Sequence, residues 1–256
     1  MESDVKMPDP AGVYAAKTLL PCRGIVFDKD GTLLDIWPML TALAKERRRH
    51  LSARVRPDAV DAVSAAVGFD PRSGTIAPFG PLASAAKRDE IAIAAGALWA
   101  KGIPWHQAHS IARDSYDEAD RTLDITAGVQ AFPGVPETLA ALSQAGLLLF
   151  VVTADSHDRA ERMLSYLGLT QYITGIVGAD EVTRTKPDPE AVLACAAKAG
   201  LAPGQIVVVG DGPQDALMGR RAGAKAIGVL TGVATYDDLQ GYCDAVLPSV
   251  SDIRPA

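Results

Sequence analysis

The feature that most constrains the fold is an alternation of short apolar runs with longer helix-like stretches. The runs are rich in β-branched residues, which is typical of strands buried on both faces of a parallel sheet. The helix-like stretches end at glycines, which favour helix termination. Repeated strand–helix–strand units imply right-handed crossovers, so the sequence predicts an α/β fold with a doubly wound parallel sheet. The predicted strands are 24–27, 147–152, 175–178, 206–209, 226–229 and 245–247. The helices predicted to alternate with the later strands are 136–145, 156–167, 189–199 and 215–222.

One interval after the first run breaks this alternation. It is rich in alanine, leucine and charged residues, and a segment with glycine and proline at 68–81 predicts a loop within it. We therefore predict a core domain of residues 1–36 and 127–256, with an inserted all-α domain of residues 37–126. Residues 36–38 and 127–134 would be the hinges. The helices predicted in the inserted domain are 39–55, 57–67, 85–101 and 104–123.

Composition excludes several classes of protein. There are 25 basic and 31 acidic residues, and the net charge of −6 argues against nucleic-acid binding through a basic surface. The three cysteines are scattered, so neither a disulfide framework nor a zinc site is expected. Residues 1–10 are unlike a signal peptide, and the apolar runs are far shorter than the ~20 residues of a membrane-spanning helix. We expect a cytoplasmic protein, monomeric or homodimeric, with no membrane or nucleic-acid partner.

Two carboxylates stand at the end of the first apolar run. Asp28 and Asp30 follow Phe27, and the carboxyl ends of parallel strands are where ligands bind in such sheets. If the backbone stays extended through Asp30, both side chains lie on one side. Carboxylates this close repel unless a proton or a cation separates them, and Mg²⁺ prefers oxygen ligands. When this motif is considered by itself, the alternative to a metal site is a polar strand end followed by a turn at Gly31.

Two other strand ends carry groups suited to phosphate. Thr153 and Ala154 lie at a strand-to-helix turn, where a hydroxyl and backbone amides form a phosphate cradle. Capping of the helix is the alternative for Thr153, although Ser156 is the better N-cap. Lys186 lies in a loop stiffened by two prolines, which holds its ammonium ready to neutralise a phosphoryl group. The alternative for Lys186 is a solvated surface lysine.

A second acidic pair follows the fourth run. Asp211 and Asp215 are flanked by Gly210 and Gly212, which permit close backbone approach. Asp215 is predicted to ligate a metal, orient Asp211 or hold a lysine, and it also suits a helix cap. Because the strand ends of a parallel sheet meet at one edge, all these groups are expected to form one site.

Together these motifs resemble those of the haloacid dehalogenase superfamily, and within it the phosphoglycolate-phosphatase-like group with a helical cap. The resemblance extends over residues 23–247. Gly212-Pro213 departs from the Ser or Thr often found after the metal-binding aspartate. The matching motifs are Phe27-Asp28-Lys29-Asp30-Gly31-Thr32-Leu33, a second ending in Thr153, Lys186-Pro187, and Gly210-Asp211 through Asp215.

The resemblance implies a catalytic role for several residues. Asp28 is similar to the nucleophile that forms an aspartyl phosphate, and Asp30 to the general acid that protonates the leaving alcohol and then activates water. Thr153, Ala154 and Lys186 resemble the groups that bind the phosphoryl oxygens. The cofactor implied is Mg²⁺, held by Asp28, the backbone carbonyl of Asp30 and Asp211, with Asp215 supporting the metal or the lysine.

The function that follows is Mg²⁺-dependent hydrolysis of a small phosphate monoester, of the phosphoglycolate or sugar-phosphate class. An aspartate at position 30 suits phosphate-ester chemistry. One alternative is a phosphomutase of the β-phosphoglucomutase type, which shares these motifs. Another is a phospho-accepting regulatory protein, although such proteins lack an inserted domain at this point.

The inserted domain carries basic and aromatic residues of open function. We expect its basic residues to form a solvated face with some intrahelical pairing, and a contact with an anionic substrate is the alternative. Trp37, Trp99 and Trp105 are expected to pack within this domain or at its hinge, and lining the entrance to the site is the alternative for Trp37. The basic residues are Lys45, Arg47, Arg48, Arg49, Arg54, Arg56, Lys87 and Arg88.

Overall fold

The structure, a computed structural model, describes residues 12–78, 80–124, 126 and 128–256. The chain forms two compact units. The first consists of Met1–Asp35 together with Gln130–Ala256, and the second consists of Ile36–Val129. Ala127, where the predicted core domain resumes, and the segment 1–10 lie outside the described residues. That the second unit acts as a cap stays a prediction.

The strands described include all six that the apolar runs predict. In chain order they are β1 (Gly12–Ala15), β2 (Thr18–Pro21), β3 (Gly24–Phe27), β4 (Leu34–Asp35), β5 (Phe69–Asp70), β6 (Thr75–Ile76), β7 (Gln130–Ala131), β8 (Leu148–Val152), β9 (Gly175–Val177), β10 (Ile206–Gly210), β11 (Lys225–Val229), β12 (Ala245–Leu247) and β13 (Ile253–Pro255).

The helices described follow the predicted order. They are α1 (Trp37–Ser52), α2 (Pro57–Ala66), α3 (Pro81–Ser84), α4 (Lys87–Ala100), α5 (Trp105–Thr122), α6 (Val135–Gln144), α7 (His157–Tyr166), α8 (Glu190–Ala199), α9 (Pro213–Ala222) and α10 (Tyr236–Leu239).

The core of the first unit is a six-stranded parallel sheet in the order β12-β11-β10-β3-β8-β9. Within this sheet the first strand along the chain is the central β3; the next two, β8 and β9, extend to one side, and β10, β11 and β12 then build the other side. This reversal of direction is the doubly wound topology, so the predicted fold class is confirmed. The residues of β3 are all buried, and side chains of its neighbours pack against α8 and α9.

A small antiparallel sheet of the first unit is absent from the sequence prediction. It has the order β13-β1-β2 and joins the first described strands to the last one. Val13 and Ala15 are buried, and Tyr14 between them is exposed. Strands this short carry a weak alternation signal, and pairing between chain ends cannot be read from local pattern.

Several predicted boundaries are shifted in the structure, and the predictions for two segments need correction. The segment 68–81, predicted as a loop, contains the antiparallel pair β5–β6. Helix α9 begins at Pro213 rather than at Asp215, because proline is well suited to the first turn of a helix, where its missing N–H costs nothing. Asp215 consequently lies within the first turn, and its side chain caps the helix from there by accepting from the N–H of Gly212.

The second unit is built mainly from α1, α2, α4 and α5. Alanines line the contact between α4 and α5, and Ala94, Ala95, Ala108 and Ala112 are completely buried. Such small side chains allow helix backbones to approach closely. The expectation that Trp99 and Trp105 pack is wrong, because they are 61% and 53% exposed.

The expectation of a solvated basic face is also wrong for Arg47. This side chain is buried, with Nη1 2.6 Å from Glu90 Oε2 and its guanidinium 4.2 Å from the centre of the Tyr116 ring. Lys87 lies 2.7 Å from Asp117 and 2.6 Å from Asp120. The pattern of a single helix does not show which neighbours pack against it. The packing of α1 against its neighbours buries the charge of Arg47.

Candidate active site

The register of the central strands brings three predicted site residues to one edge. Phe27 of β3 pairs with Val209 of β10 on one side and with Val151 of β8 on the other. Asp28 follows Phe27 directly, and its N–H donates to the carbonyl of Val209 at 2.8 Å. Asp211 and Thr153 each come two residues after the paired positions. Alignment of parallel strands therefore places their carboxyl-terminal groups at one edge.

Lys186 lies between two carboxylates of this edge. Its Nζ hydrogen-bonds to Asp28 Oδ1 and lies 2.7 Å from Asp215 Oδ1. The three side chains are nearly buried, which strengthens their mutual attraction because little water screens them. Residues 158 positions apart in sequence thus meet in one ion pair.

The start of α9 orients Asp215. Its Oδ2 accepts a hydrogen bond from the N–H of Gly212 at 3.1 Å, which satisfies one of the free donors at the helix start. The other oxygen faces Lys186. A Cβ atom at Gly210 would overlap the Asp215 side chain, so the absence of a side chain at that position is what allows this arrangement. Capping and site formation are both roles of Asp215.

A loop after β11 closes against Asp211. The N–H of Val233 lies 3.4 Å from Asp211 Oδ2, and Thr231 Oγ1 donates to the carbonyl of Gly31 at 2.6 Å. Gly31 has a φ of +85°, and a Cβ there would stand 2.6 Å from Asp211 Oδ2. Gly232 has no room for a Cβ atom beside the same carboxylate. This loop was missed by sequence reasoning, since it has no charged residue or motif to draw attention.

Oxygens of Asp28, Asp211 and Asp215 all lie within 4.8 Å of one another. Lys186 is the cation in contact with Asp28 and Asp215, so three carboxylates face one ammonium. A divalent cation would balance the two remaining negative charges, and clustered carboxylate oxygens are the ligands that Mg²⁺ prefers. The residues present therefore fit a hard divalent cation.

The ionisation of these groups is strongly perturbed. Burial, followed by the charges of Asp28 and Asp215, raises the pKa of Asp211 to about 8. Burial also raises the pKa of Asp28, against the opposing effect of Lys186. For Lys186, burial alone would lower the pKa, but Asp215 and Asp28 outweigh it and raise the pKa above its usual range. Crowded, buried carboxylates of this kind are typical of functional sites.

Asp30 has different partners from Asp28. Its Oδ1 lies 2.5 Å from Nζ of Lys29, a completely buried lysine that also donates to Asp155 Oδ2 at 2.9 Å. The Asp30 carboxylate is not among the three clustered carboxylates, and its side chain stays 27% exposed. Lys29 was missed by sequence reasoning, because a lysine between two aspartates is expected to be solvated.

Thr153 and Ala154 lie at the turn between β8 and α7. Thr153 is buried, and its Oγ1 accepts a hydrogen bond from the N–H of Asp155 at 3.1 Å. Ala154 is exposed. Ser156 caps α7 by accepting from the N–H of Arg159. The hydroxyl of Thr153 is therefore not the helix cap, and the structure places it on the turn that follows β8.

Comparison with known proteins identifies the family. Residues 22–223 match the family of haloacid dehalogenase-like hydrolases. The chain belongs to this family. The predicted enzyme class, a hydrolase of this superfamily, is thereby confirmed.

Two relatives match this hydrolase over most of their length. The N-acetylmuramic acid 6-phosphate phosphatase of Pseudomonas aeruginosa is 30% identical over 84% of this chain and 85% of its own. A phosphoglycolate phosphatase of Photorhabdus laumondii is 28% identical, with 93% and 94% covered. The crystal structure of a predicted phosphoglycolate phosphatase from Haemophilus somnus, 22% identical, superposes with a TM-score of 0.66 over 90% of this chain and 96% of the other. None of the helices described in this hydrolase combines the length and hydrophobicity that crossing a bilayer requires.

Proposed function

We propose that this hydrolase cleaves small phosphate monoesters through an aspartyl phosphate formed on Asp28. The observation that carries the proposal is the convergence of Asp28, Lys186, Asp211 and Asp215 at one edge of the sheet. This set combines a buried nucleophile, a fixed ammonium and a carboxylate cluster with an excess of negative charge. Phosphoryl transfer needs such positioning and charge neutralisation more than a strong nucleophile.

In the first half of the reaction, an oxygen of Asp28 attacks phosphorus and the bond from phosphorus to the leaving oxygen breaks. Asp30 gives its carboxyl proton to that oxygen, so the alcohol leaves neutral. Lys186 and Thr153 hold the phosphoryl oxygens. Asp28, Asp211 and the carbonyl of residue 30, with support from Asp215, would hold Mg²⁺, which would supply positive charge to neutralise the phosphoryl group.

In the second half, water attacks the phosphorus of the aspartyl phosphate. The water proton passes to Asp30, and the electrons of the broken acyl phosphate bond return to the carboxylate of Asp28. Inorganic phosphate then leaves. The enzyme returns to its starting protonation state, with Asp30 ready to act as an acid again.

The substrate class follows from the relatives. Two relatives that match over most of their length are named for phosphoglycolate and for N-acetylmuramic acid 6-phosphate, a hydroxy-acid ester and a sugar ester. We propose the same class, compact phosphate monoesters of metabolites, for this enzyme. Transfer of phosphate between positions of a sugar is the competing reaction of similar cores, and the products distinguish the two.

One experiment tests the proposal. Wild type and Asp28→Asn are incubated with Mg²⁺ and a panel of phosphoglycolate and sugar phosphates, and released inorganic phosphate is measured. We expect metal-dependent release by the wild type and none by Asp28→Asn, whose amide cannot form the intermediate. Equal release by both proteins would disprove the mechanism, and a sugar phosphate isomer formed without free phosphate would identify a mutase.

A further inference from the structure

A second cation lies inside the first motif. Lys29 follows Asp28 directly, and its side chain has no exposed surface. Burying an ammonium is costly unless its charge is paired and its donors are satisfied. A lysine in this position therefore needs partners, and those partners indicate what it does.

The ammonium of Lys29 has three hydrogen-bond donors, and three acceptors surround it. They are Asp30 Oδ1 at 2.5 Å, Asp155 Oδ2 at 2.9 Å and the sulfur of Met163 at 3.4 Å. Asp155 is itself attached to the next strand end, since its N–H donates to Thr153 Oγ1. Lys29 thus ties the carboxylate of Asp30 to the turn that follows β8.

We propose that Lys29 is a positioning residue that holds Asp30 in the orientation needed for proton transfer to the leaving oxygen. This inference rests on the proposed function, in which Asp30 is the general acid. Lys29 occupies Oδ1, which leaves Oδ2 to carry the proton. The Lys29 side chain is fully enclosed, whereas the Asp30 side chain keeps 27% of its surface exposed and accessible to a substrate.

The consequence depends on the leaving group. When phosphorus–oxygen cleavage releases an alkoxide, the proton from Asp30 must arrive in the same step, because alkoxides are strong bases. A p-nitrophenolate leaves without that proton. The attack by Asp28 and the breaking bond are the same in both cases. Loss of Asp30 orientation should therefore affect alkyl phosphates selectively.

The test compares kcat/KM for an alkyl phosphate, 2-phosphoglycolate, with kcat/KM for p-nitrophenyl phosphate. For each ester, kcat/KM reports the steps up to departure of the leaving group, before Asp30 acts on water. In Lys29→Met we expect a loss of ~100-fold for the alkyl ester and less than ~5-fold for the p-nitrophenyl ester, as general acid catalysis contributes roughly 10²–10⁴-fold. Asp155→Leu, which removes the anchor but retains Lys29, should show a smaller loss with the same selectivity.

Matched controls separate positioning from folding. Lys225→Met removes a lysine at the start of β11 that pairs with Asp244 at the surface. This variant should leave kcat/KM unchanged for both esters. Circular dichroism identifies folded variants, and Asp155→Leu serves if Lys29→Met is unfolded. Equal losses for both esters in a folded variant would overturn the positioning role while leaving the proposed function intact. Full turnover by Asp28→Asn would overturn both.

Discussion

Two charge clusters, one in each unit, differ in how their charges balance. In the first unit, the carboxylates of Asp28, Asp211 and Asp215 are clustered and Lys186 contacts two of them, which leaves two negative charges in excess. No single proton neutralises that excess. A divalent cation does, so the excess charge is a property suited to metal-dependent chemistry.

In the second unit the cluster balances without a metal. Arg47 and Lys87 face Glu90, Asp117 and Asp120, an excess of one negative charge if all are ionised. Burial raises the pKa of Glu90 to about 7, against the opposing effect of Arg47. One proton on Glu90 would make the cluster neutral. Similar residues thus form a cluster that fits a divalent cation in one unit and a network that needs no metal in the other.

The largest expected effect concerns the cation of the first cluster. Lys186→Met removes the only positive charge in contact with Asp28 and Asp215 among the described residues. We expect kcat/KM for p-nitrophenyl phosphate to fall by ~10³-fold, at the upper end of what one electrostatic group contributes. Lys225→Met is the control. A loss below ~10-fold would mean that the first cluster is structural, like the second.

The next effect concerns Arg47 in the second cluster. Arg47→Met leaves Glu90 buried without its partner, and removal of one member of a buried pair costs about 3–5 kcal/mol of unfolding free energy. Denaturant unfolding measures this loss. The double variant Arg47→Met/Glu90→Met should be more stable than the single one, because Glu90 no longer leaves a buried carboxyl group without its partner. The reverse order would contradict a mainly electrostatic network.

Metal addition sharpens the contrast between the clusters. Mg²⁺ at ~100 times its dissociation constant should raise the free energy of unfolding of the wild type by about 2.7 kcal/mol, since only the folded carboxylate cluster binds it. Asp211→Asn should lose most of this gain, and Glu90→Gln should retain it. Thermal unfolding with and without Mg²⁺ measures the difference. An undiminished gain in Asp211→Asn would place the metal elsewhere.

The smallest effect is the pH dependence of the second cluster. Because Glu90 has a folded pKa of about 7, above its usual value of 4.5, the folded state holds a proton that the unfolded state releases. Its stabilising contribution is complete below pH 4.5 and is lost as the pH rises towards 7. Between about pH 5 and pH 7 the wild type should lose about 2 kcal/mol relative to Glu90→Gln.

Unfolding free energies of the wild type and Glu90→Gln across this range provide the measurement. Glu90→Gln is matched in size and keeps a neutral side chain facing Arg47, Lys87, Tyr116 and Asp120. The other titrating groups cancel in the difference. A difference that does not change with pH would show that Glu90 is ionised throughout.

Much of the site was predictable because it depends on strand ends. Apolar runs identify β3, β8 and β10, and parallel alignment requires that Asp28, Thr153 and Asp211 follow at one edge. Lys29 was not predictable in the same way. Its acceptor Asp155 lies 126 residues away, and hydropathy predicts a solvated lysine beside two aspartates. The roles of the site residues stay predictions until the variants above are measured.

The sequence by itself determined the strand–helix alternation, the position of the inserted helices and the residues at the strand ends, because these follow from local pattern and the geometry of parallel sheets. Only the tertiary structure decided which charges are buried and with which partners. Arg47 and Lys29 carry the same formal charge as solvated residues nearby, and burial depends on distant segments that enclose them. Which partners meet across the fold therefore decides whether a buried cation belongs to the candidate site or to the second cluster.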